Sequence, residues 1–200
     1  MFRNNRLAVI FLGGLMAALP ALAQENDRSE VSVQLLGSFV KNTVSNGIQQ
    51  SASDSAGVLA SYRFFFTGSQ GVEINYGYSR NTQSYGLPTG PVGQDANQHE
   101  FTAAYVYRFR MGRLTPFVES GVGSLVFAPT GNNLLGASTQ ARAAFVYGGG
   151  ADYRLSQRVF LRAEYRGLVY DSPTFGLSPA LGPDRVTHRA EPSVGFGYRF

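Results

Sequence analysis

The chain contains no cysteine and no tryptophan, and only two histidines among its 200 residues. Without cysteine there can be no disulfide framework, no thiolate zinc site and no lipid-modified cysteine. His99 and His188 alone offer little to a metal cluster or to general base catalysis. No phosphate-binding loop and no serine-hydrolase elbow is present, so no cofactor is implied. Charge is sparse as well, with 17 Lys and Arg against 13 Asp and Glu spread along the chain rather than clustered. That distribution argues against nucleic acid as a partner.

The one long apolar run lies at the start. Arg3 and Arg6 precede Leu7 to Leu19, and Ala21-Leu22-Ala23 supplies small residues at the positions a signal peptidase reads. Residues 1–23 therefore read as a secretory signal cut before Gln24, since the run is shorter than the roughly 20 residues a membrane-spanning helix needs. Their removal takes away Arg3 and Arg6 and no acid, which lowers the formal charge from +4 to +2. Residues 24–200 are the size of one domain and hold no second apolar segment that could span as a helix.

The whole chain is rich in Tyr (11), Phe (15) and Gly (24), and what remains after the signal is arranged with period two almost from end to end. The alternation predicts eight strands, at Glu30–Val40, Ala56–Phe66, Gly71–Arg80, Glu100–Phe109, Leu114–Phe127, Thr139–Leu155, Val159–Tyr170 and Thr187–Phe200. Each is long enough to cross a bilayer at a tilt, for which about 9–11 residues suffice. Connections around Thr67–Gln70, Arg110–Arg113 and Ser156–Arg158 are short. Those over Lys41–Ser55, Asn81–His99, Ala128–Ser138 and Asp171–Val186 are long and rich in Ser, Asn, Gly and Pro. Short and long alternate without exception, so one rim of the barrel is smooth and the other shaggy, as in outer-membrane barrels. The fold class expected is therefore all-β, an eight-stranded antiparallel up-and-down transmembrane β-barrel. A soluble sandwich has no reason to sort its loops by parity, and a soluble calyx, the alternative, would have to fill its inside with rows of Tyr and Phe.

The strands also sort into two faces. Val159, Leu161, Ala163 and Tyr165 oppose Arg162, Glu164 and Arg166, and Val194, Phe196, Tyr198 and Phe200 oppose Glu191, Ser193 and Arg199. In lipid the apolar set faces out and the charged set in. An interior charge network is expected from Arg63, Glu73, Glu119, Arg142, Arg162, Glu164, Arg166 and Glu191, with Glu100, Arg108, Asp152, Arg154 and Arg199 as further inward candidates. Glu164, set between Arg162 and Arg166 and with Glu119 and Glu73 at similar depth, is the expected centre. Phe64, Phe66, Tyr107, Phe109, Phe117, Tyr153, Tyr198 and Phe200 fall near the short-turn rim as an aromatic girdle, although Phe117 reads inward and could plug the floor. Gly148-Gly149-Gly150 reads as a bend or bulge. An enzymatic site would draw on His99 or His188 with Asp171, Ser172 or Asp184, but His188 is followed by Arg189-Ala190 rather than by a serine two residues on.

Four segments resemble the small eight-stranded outer-membrane proteins of the OmpA, OmpX and opacity type. Leu114-Thr115-Pro116-Phe117 through Gly121-Val122-Gly123 resembles that family's TPY-x-x-x-G-x-G strand, with Phe117 in place of the usual Tyr. Gly148 to Ser156 resembles its G-x-G-x-D-Y-x-L-s strand and turn, Val159 to Tyr165 its v-x-L-R-x-E-Y strand, and Val194 to Phe200 its v-G-x-G-Y-r-F end. The resemblance implies a monomer in the outer membrane, in contact with lipid and lipopolysaccharide. It further implies delivery by periplasmic chaperones and recognition of Phe196, Tyr198 and Phe200 by the barrel assembly machinery. A structural, non-enzymatic role with external loops is implied. An adhesin or other surface-binding protein, a narrow solute channel and a lipid-modifying enzyme are the alternatives.

Overall fold

The computed structural model describes residues 28–45, 48–87, 90–131, 138–173 and 186–200. The segment read as a signal, residues 1–23, lies outside them, as does Asp184. Ten strands follow in order: β1 Ser29–Val40, β2 Thr43–Ser45, β3 Ile48–Ala52, β4 Ser55–Phe65 and β5 Gln70–Leu87, then β6 Gly90–Arg108, β7 Leu114–Pro129, β8 Gln140–Arg154, β9 Val159–Asp171 and β10 Val186–Arg199. No helix occurs among the described residues. β1, β4 to β10 pair antiparallel in a ring, each with its chain neighbour among them, and β1 closes on β10 from Glu30 opposite Arg199 to Val40 opposite Arg189. Closure leaves none of these eight strands with an open edge, a condition that hydrocarbon imposes on any spanning sheet.

The short turns have identifiable causes. Thr67 Oγ1 accepts the backbone N–H of Gln70 at 2.9 Å, and Ser156 Oγ accepts that of Val159 at 3.0 Å. Gly112, between Met111 and Leu114, has a φ of 65°, a region where other residues are strained. Hydroxyl-bearing and glycine residues therefore fold the chain back within a few residues and keep this rim low.

Outward faces carry the apolar residues. Val33, Leu35, Ile74, Phe101, Val122, Phe145 and Phe196 are all exposed, Leu35 to 69%. So continuous a greasy outer surface fits hydrocarbon rather than water. Tyr107, Phe109, Tyr153 and Tyr198 lie on the same outer face near the short turns, and the rings of Tyr107 and Phe109 pack edge-on at 5.0 Å. Phe117 belongs to the interior, 2% exposed.

The expected loop over Asn81–His99 is instead a hairpin. β5 and β6 stay paired from Gln70 opposite Tyr107 to Leu87 opposite Gly90. Polar ladders stabilise the extension: on its inner face Gln98 Nε2 donates to Asn81 Oδ1 at 2.7 Å, and on its outer face Thr82 Oγ1 donates to Asp95 at 2.6 Å. That hydroxyl, with Arg80 beside it, holds the Asp95 carboxyl below its ordinary value. Within Lys41–Ser55, β3 adds to the same hairpin, Gln49 opposite Gly86 and Ala52 opposite Gln83. Composition had suggested a loop because these residues are polar on both faces, which is what a strand above the membrane needs. The glycine run in β8 forms no bulge. Register continues through it, with Gly149 opposite Val118 on one side and Tyr165 on the other.

A lipid-facing wall predicts a depth-dependent cost for charge. Leu35→Arg, in mid-strand, should destabilise the barrel by about 2–4 kcal/mol, and Val186→Arg, at the long-loop end of β10, by about 0–1 kcal/mol. Reversible denaturant unfolding in lipid vesicles measures both, and equal costs would contradict the outward assignment.

Candidate functional site

The barrel interior is stacked in layers, each determined by residues of one strand parity. Nearest the short turns stand three inward phenylalanines, Phe65, Phe117 and Phe160, all buried. Guanidinium groups cover their rings: Arg108 lies 3.4 Å from the Phe65 centroid, Arg63 4.1 Å from Phe117, and Arg162 5.1 Å from both Phe117 and Phe160. Such stacking suits arginine, which is planar and weakly hydrated. Gly197 makes room for the floor, because the Phe160 ring occupies the space a Cβ would take.

Above the floor the arginines turn to carboxylates. Arg162, fully buried, donates to Asp152 at 2.7 Å and lies 3.2 Å from Glu30 and 3.4 Å from Glu73. Arg63 pairs with Glu73 and reaches Asp152 at 4.0 Å. Glu30 also receives Arg108 at 2.8 Å and Arg199 at 2.7 Å. A second group lies toward the long loops. There Arg166 pairs with Glu100, Arg189 with Glu191, and Arg189 reaches Glu100 at 3.0 Å. Glu119 joins the two groups, 3.9 Å from Arg63 and 3.6 Å from Arg166. Six arginines (63, 108, 162, 166, 189 and 199) thus meet six acids (30, 73, 100, 119, 152 and 191), and their charge cancels.

Of the residues singled out in the sequence, Arg63, Glu73, Glu119, Arg162, Arg166 and Glu191 meet in these ion pairs. Glu164 lies beside Glu73 and Glu119, the three carboxylates within 4.8 Å of one another, but no direct ion pair joins it to the arginines that flank it in sequence. Its carboxylate accepts a hydrogen bond from Gln34 Nε2 at 3.0 Å, while Arg162 and Arg166 reach to acids on other strands. Neighbours two apart on one strand face point in parallel, so flanking in sequence does not bring side-chain ends together. Arg142 is half-buried, opposite Leu125, nearer the long-loop rim. Arg154 is exposed and donates to the Gly112 carbonyl at 2.8 Å, so it belongs to the turn rather than to the interior. Phe196 and Tyr198 face outward, and the Tyr198 and Phe200 rings pack at 5.3 Å.

Sequence reasoning missed Glu30, Arg189 and Gln34, and the floor residues Phe65 and Phe160. Parity could have found them all: Glu30 and Gln34 share the face of Ser32, and Arg189 that of Glu191. It also missed an apolar cluster inside the barrel toward the long loops, formed by Ala96, Leu125, Phe127, Ala144, Val146, Leu168 and Tyr170. The Phe127 and Tyr170 rings pack there at 5.9 Å, tilted by 34°.

The carboxylates of Glu73, Glu119 and Glu164 approach within 4.8 Å of one another, close enough for a small cation. Arg63 and Arg166 already press on that group and supply positive charge to it. The histidines sit on the outer face and bond to tyrosines, His99 Nδ1 with Tyr76 and His188 Nε2 with Tyr147, each at 2.9 Å. Neither is joined to a serine or an acid among the described residues.

Comparison with known proteins agrees with this geometry. The profile of the outer membrane protein beta-barrel domain matches residues 9–200. Among solved structures, the outer membrane protein OprG of Pseudomonas aeruginosa superposes with a TM-score of 0.65 at 15% identity, covering 89% of this chain and 98% of that one. Neisserial surface protein A gives 0.60 at 14% identity, with 86% and 97% covered. The attachment invasion locus protein Ail of Yersinia pestis, in complex with the heparin analogue sucrose octasulfate, gives 0.53 at 18%, with 88% and 100% covered. No curated protein matches by sequence.

Breaking the network at its best-connected cation should be costly. Arg162→Met strands Asp152, and should destabilise by about 3–5 kcal/mol. Adding Asp152→Asn should restore part of that loss. Chemical unfolding of the single and double variants in vesicles checks both, and an additive double would deny the coupling.

Proposed function

The chain belongs to the outer membrane protein beta-barrel domain family, and from that premise we propose that it is a structural barrel of the bacterial outer membrane whose long connections face outside. Its localisation is the outer membrane. The observation that carries the structural reading is the filled interior. A floor of phenylalanines, a neutralised ion network and an apolar cluster succeed one another along the axis, and Arg162, Arg166, Leu125 and Phe127 are fully buried. Conduction needs a continuous water path, and these layers oppose one.

Residues 1–23 act as the cleaved secretory signal in this reading. Phe196, Tyr198 and Phe200, aligned on the outer face of the closing strand, serve as the address read by the barrel assembly machinery after periplasmic chaperones deliver the chain. Lipopolysaccharide surrounds the barrel on the long-loop side.

One observation favours surface binding as a second reading. The β5–β6 hairpin, joined by β3, is a paired sheet above the barrel rather than a generic loop, and it offers a defined surface. Ail, a barrel of the same fold, has been crystallised with a sulfated sugar. For this chain, binding of that kind rests on the fold alone.

Planar-bilayer recordings of the folded protein should stay at baseline, and reproducible unitary conductance would overturn the closed-barrel reading. Deletion of Phe200 should leave the protein periplasmic or degraded in cells with normal assembly machinery. Wild-type surface folding of that deletion, followed by heat-shifted gel mobility, would count against the terminal address.

A further inference from the structure

Of the eight ladders that close the ring, seven run unbroken and one does not. β1 and β10 pair from Glu30 opposite Arg199 to Leu36 opposite Ser193, and again at Phe39 opposite Ala190 and Val40 opposite Arg189, but not at Gly37 or Ser38. The cause is Pro192. Along an inner strand the backbone N–H groups point by turns to one neighbour and the other. At the end of β10 the N–H of Arg199 donates toward β9, to Arg158, and that of Phe200 toward β1, to Ser29. Even-numbered residues therefore face β1, and at position 192 a proline has no N–H to give. The Gly37 carbonyl opposite loses its ladder donor, on a wall where lipid offers no replacement. The other strand prolines, Pro91, Pro116 and Pro129, stand where one of their two ladders has already ended.

The gap isolates the upper end of β1. Below it seven pairs hold β1 to β10, whereas above it only Phe39 and Val40 pair, helped by Lys41, whose N–H donates to the His188 carbonyl at 2.9 Å. On the other side the β1–β4 ladder has ended, at Ser38 opposite Ser55. Phe39 and Val40 are thus tied by ladder bonds to β10 alone. Side chains mark the same place. The Phe39 ring folds back over Gly37, 2.8 Å from where a Cβ would stand, and Pro192 lies 3.7 Å from that point. On the inner face Ser38 Oγ and Glu191 Oε2, which the register sets opposite each other, have no hydrogen-bond partner among the described residues. Behind Val40 and Lys41 is a hollow also walled by Gln83, Tyr170 and Thr187, and Tyr170 belongs to the apolar cluster.

We propose that residues 39–41 are a hinged flap, which detaches from β10 as a unit, turns about Gly37 and uncovers the hollow beside Tyr170. The Phe39 ring is the strap that holds it shut. A segment with so few ladder bonds belongs to the part of a fold that opens locally while the rest stays paired. Gly37 serves as the hinge because the ladder already lapses there, and the lost donor of Pro192 sets how readily the flap lifts. The phenylalanine floor stays in place throughout, so opening reaches the apolar cluster from the long-loop end and makes no path through the barrel.

Amide hydrogen exchange of the folded protein in lipid nanodiscs, followed residue by residue by NMR, tests the flap. The amides of Phe39, Lys41 and Ala190 should exchange with one common opening constant, and faster than those of Val33 and Leu35, which face β10 lower in the same seam. Pro192→Thr restores the missing donor and should slow all three about fivefold, the factor for roughly 1 kcal/mol per hydrogen bond. Phe39→Ala removes the strap and should speed Lys41 and Ala190. Rates that climb one residue at a time toward the end of β1, indifferent to Pro192→Thr, would mean ordinary fraying and overturn the proposal. Protection of Phe39 and Lys41 equal to that of Leu35 would overturn it too. Should Pro192→Thr not fold, a spin label on Val40→Cys in the otherwise unchanged chain decides. Two components, one mobile and one immobile, are expected, with the mobile one enlarged by Phe39→Ala, and a single immobile component would contradict the flap.

Discussion

An eight-stranded barrel is only as wide inside as the side chains that fill it. It has no water outside at membrane depth either, so a charge that enters the interior must be neutralised by another side chain. This constraint organises the molecule. Six buried acids from six strands meet six arginines from four, and Glu119 connects the half gathered around Glu30 with the half gathered around Glu100. Such a network is weak evidence for stability in itself, because desolvation offsets much of the attraction. Its consequence is specificity. A strand shifted by one residue would send its arginine into lipid and its leucine into the ion pairs, so the network and the outer wall impose the same register.

The remaining interior follows from that core. Arginines too long for the axis lie back over Phe65, Phe117 and Phe160, and the stacked rings close the short-turn end. Toward the other end, charge gives way to Leu125, Phe127, Val146 and Leu168, which need no counter-charge.

Much of this was legible in the sequence because a lipid-facing strand must alternate and short turns must carry turn residues. Seven of the eight barrel pairings are between sequence neighbours, so alternation and turn length sufficed for the ring. What stayed hidden has two physical origins. Contacts across the barrel depend on tilt and shear, which no single strand encodes, so the hydrogen bond from Gln34 to Glu164 could not be read from the two arginines beside it in sequence. Outside the membrane, the period-two contrast vanishes, because both faces of a strand meet polar surroundings. Asn81–His99 accordingly resembled a loop while its side chains were forming ladders. Phe160 and Arg189 were recoverable from parity alone. They were passed over because a phenylalanine beside lipid-facing residues, and an arginine near a loop, fit more obvious roles.

The central claim is that the interior is dry and closed by its own ion pairs. Solvent exchange of the arginine guanidinium protons, followed by NMR in lipid nanodiscs, addresses it directly. A closed interior predicts that the Nε–H resonances of Arg162, Arg166 and Arg189 persist while that of the exposed Arg110 exchanges away. Exchange of all four at the same rate would mean that water reaches the network, and the barrel would then have to be regarded as open.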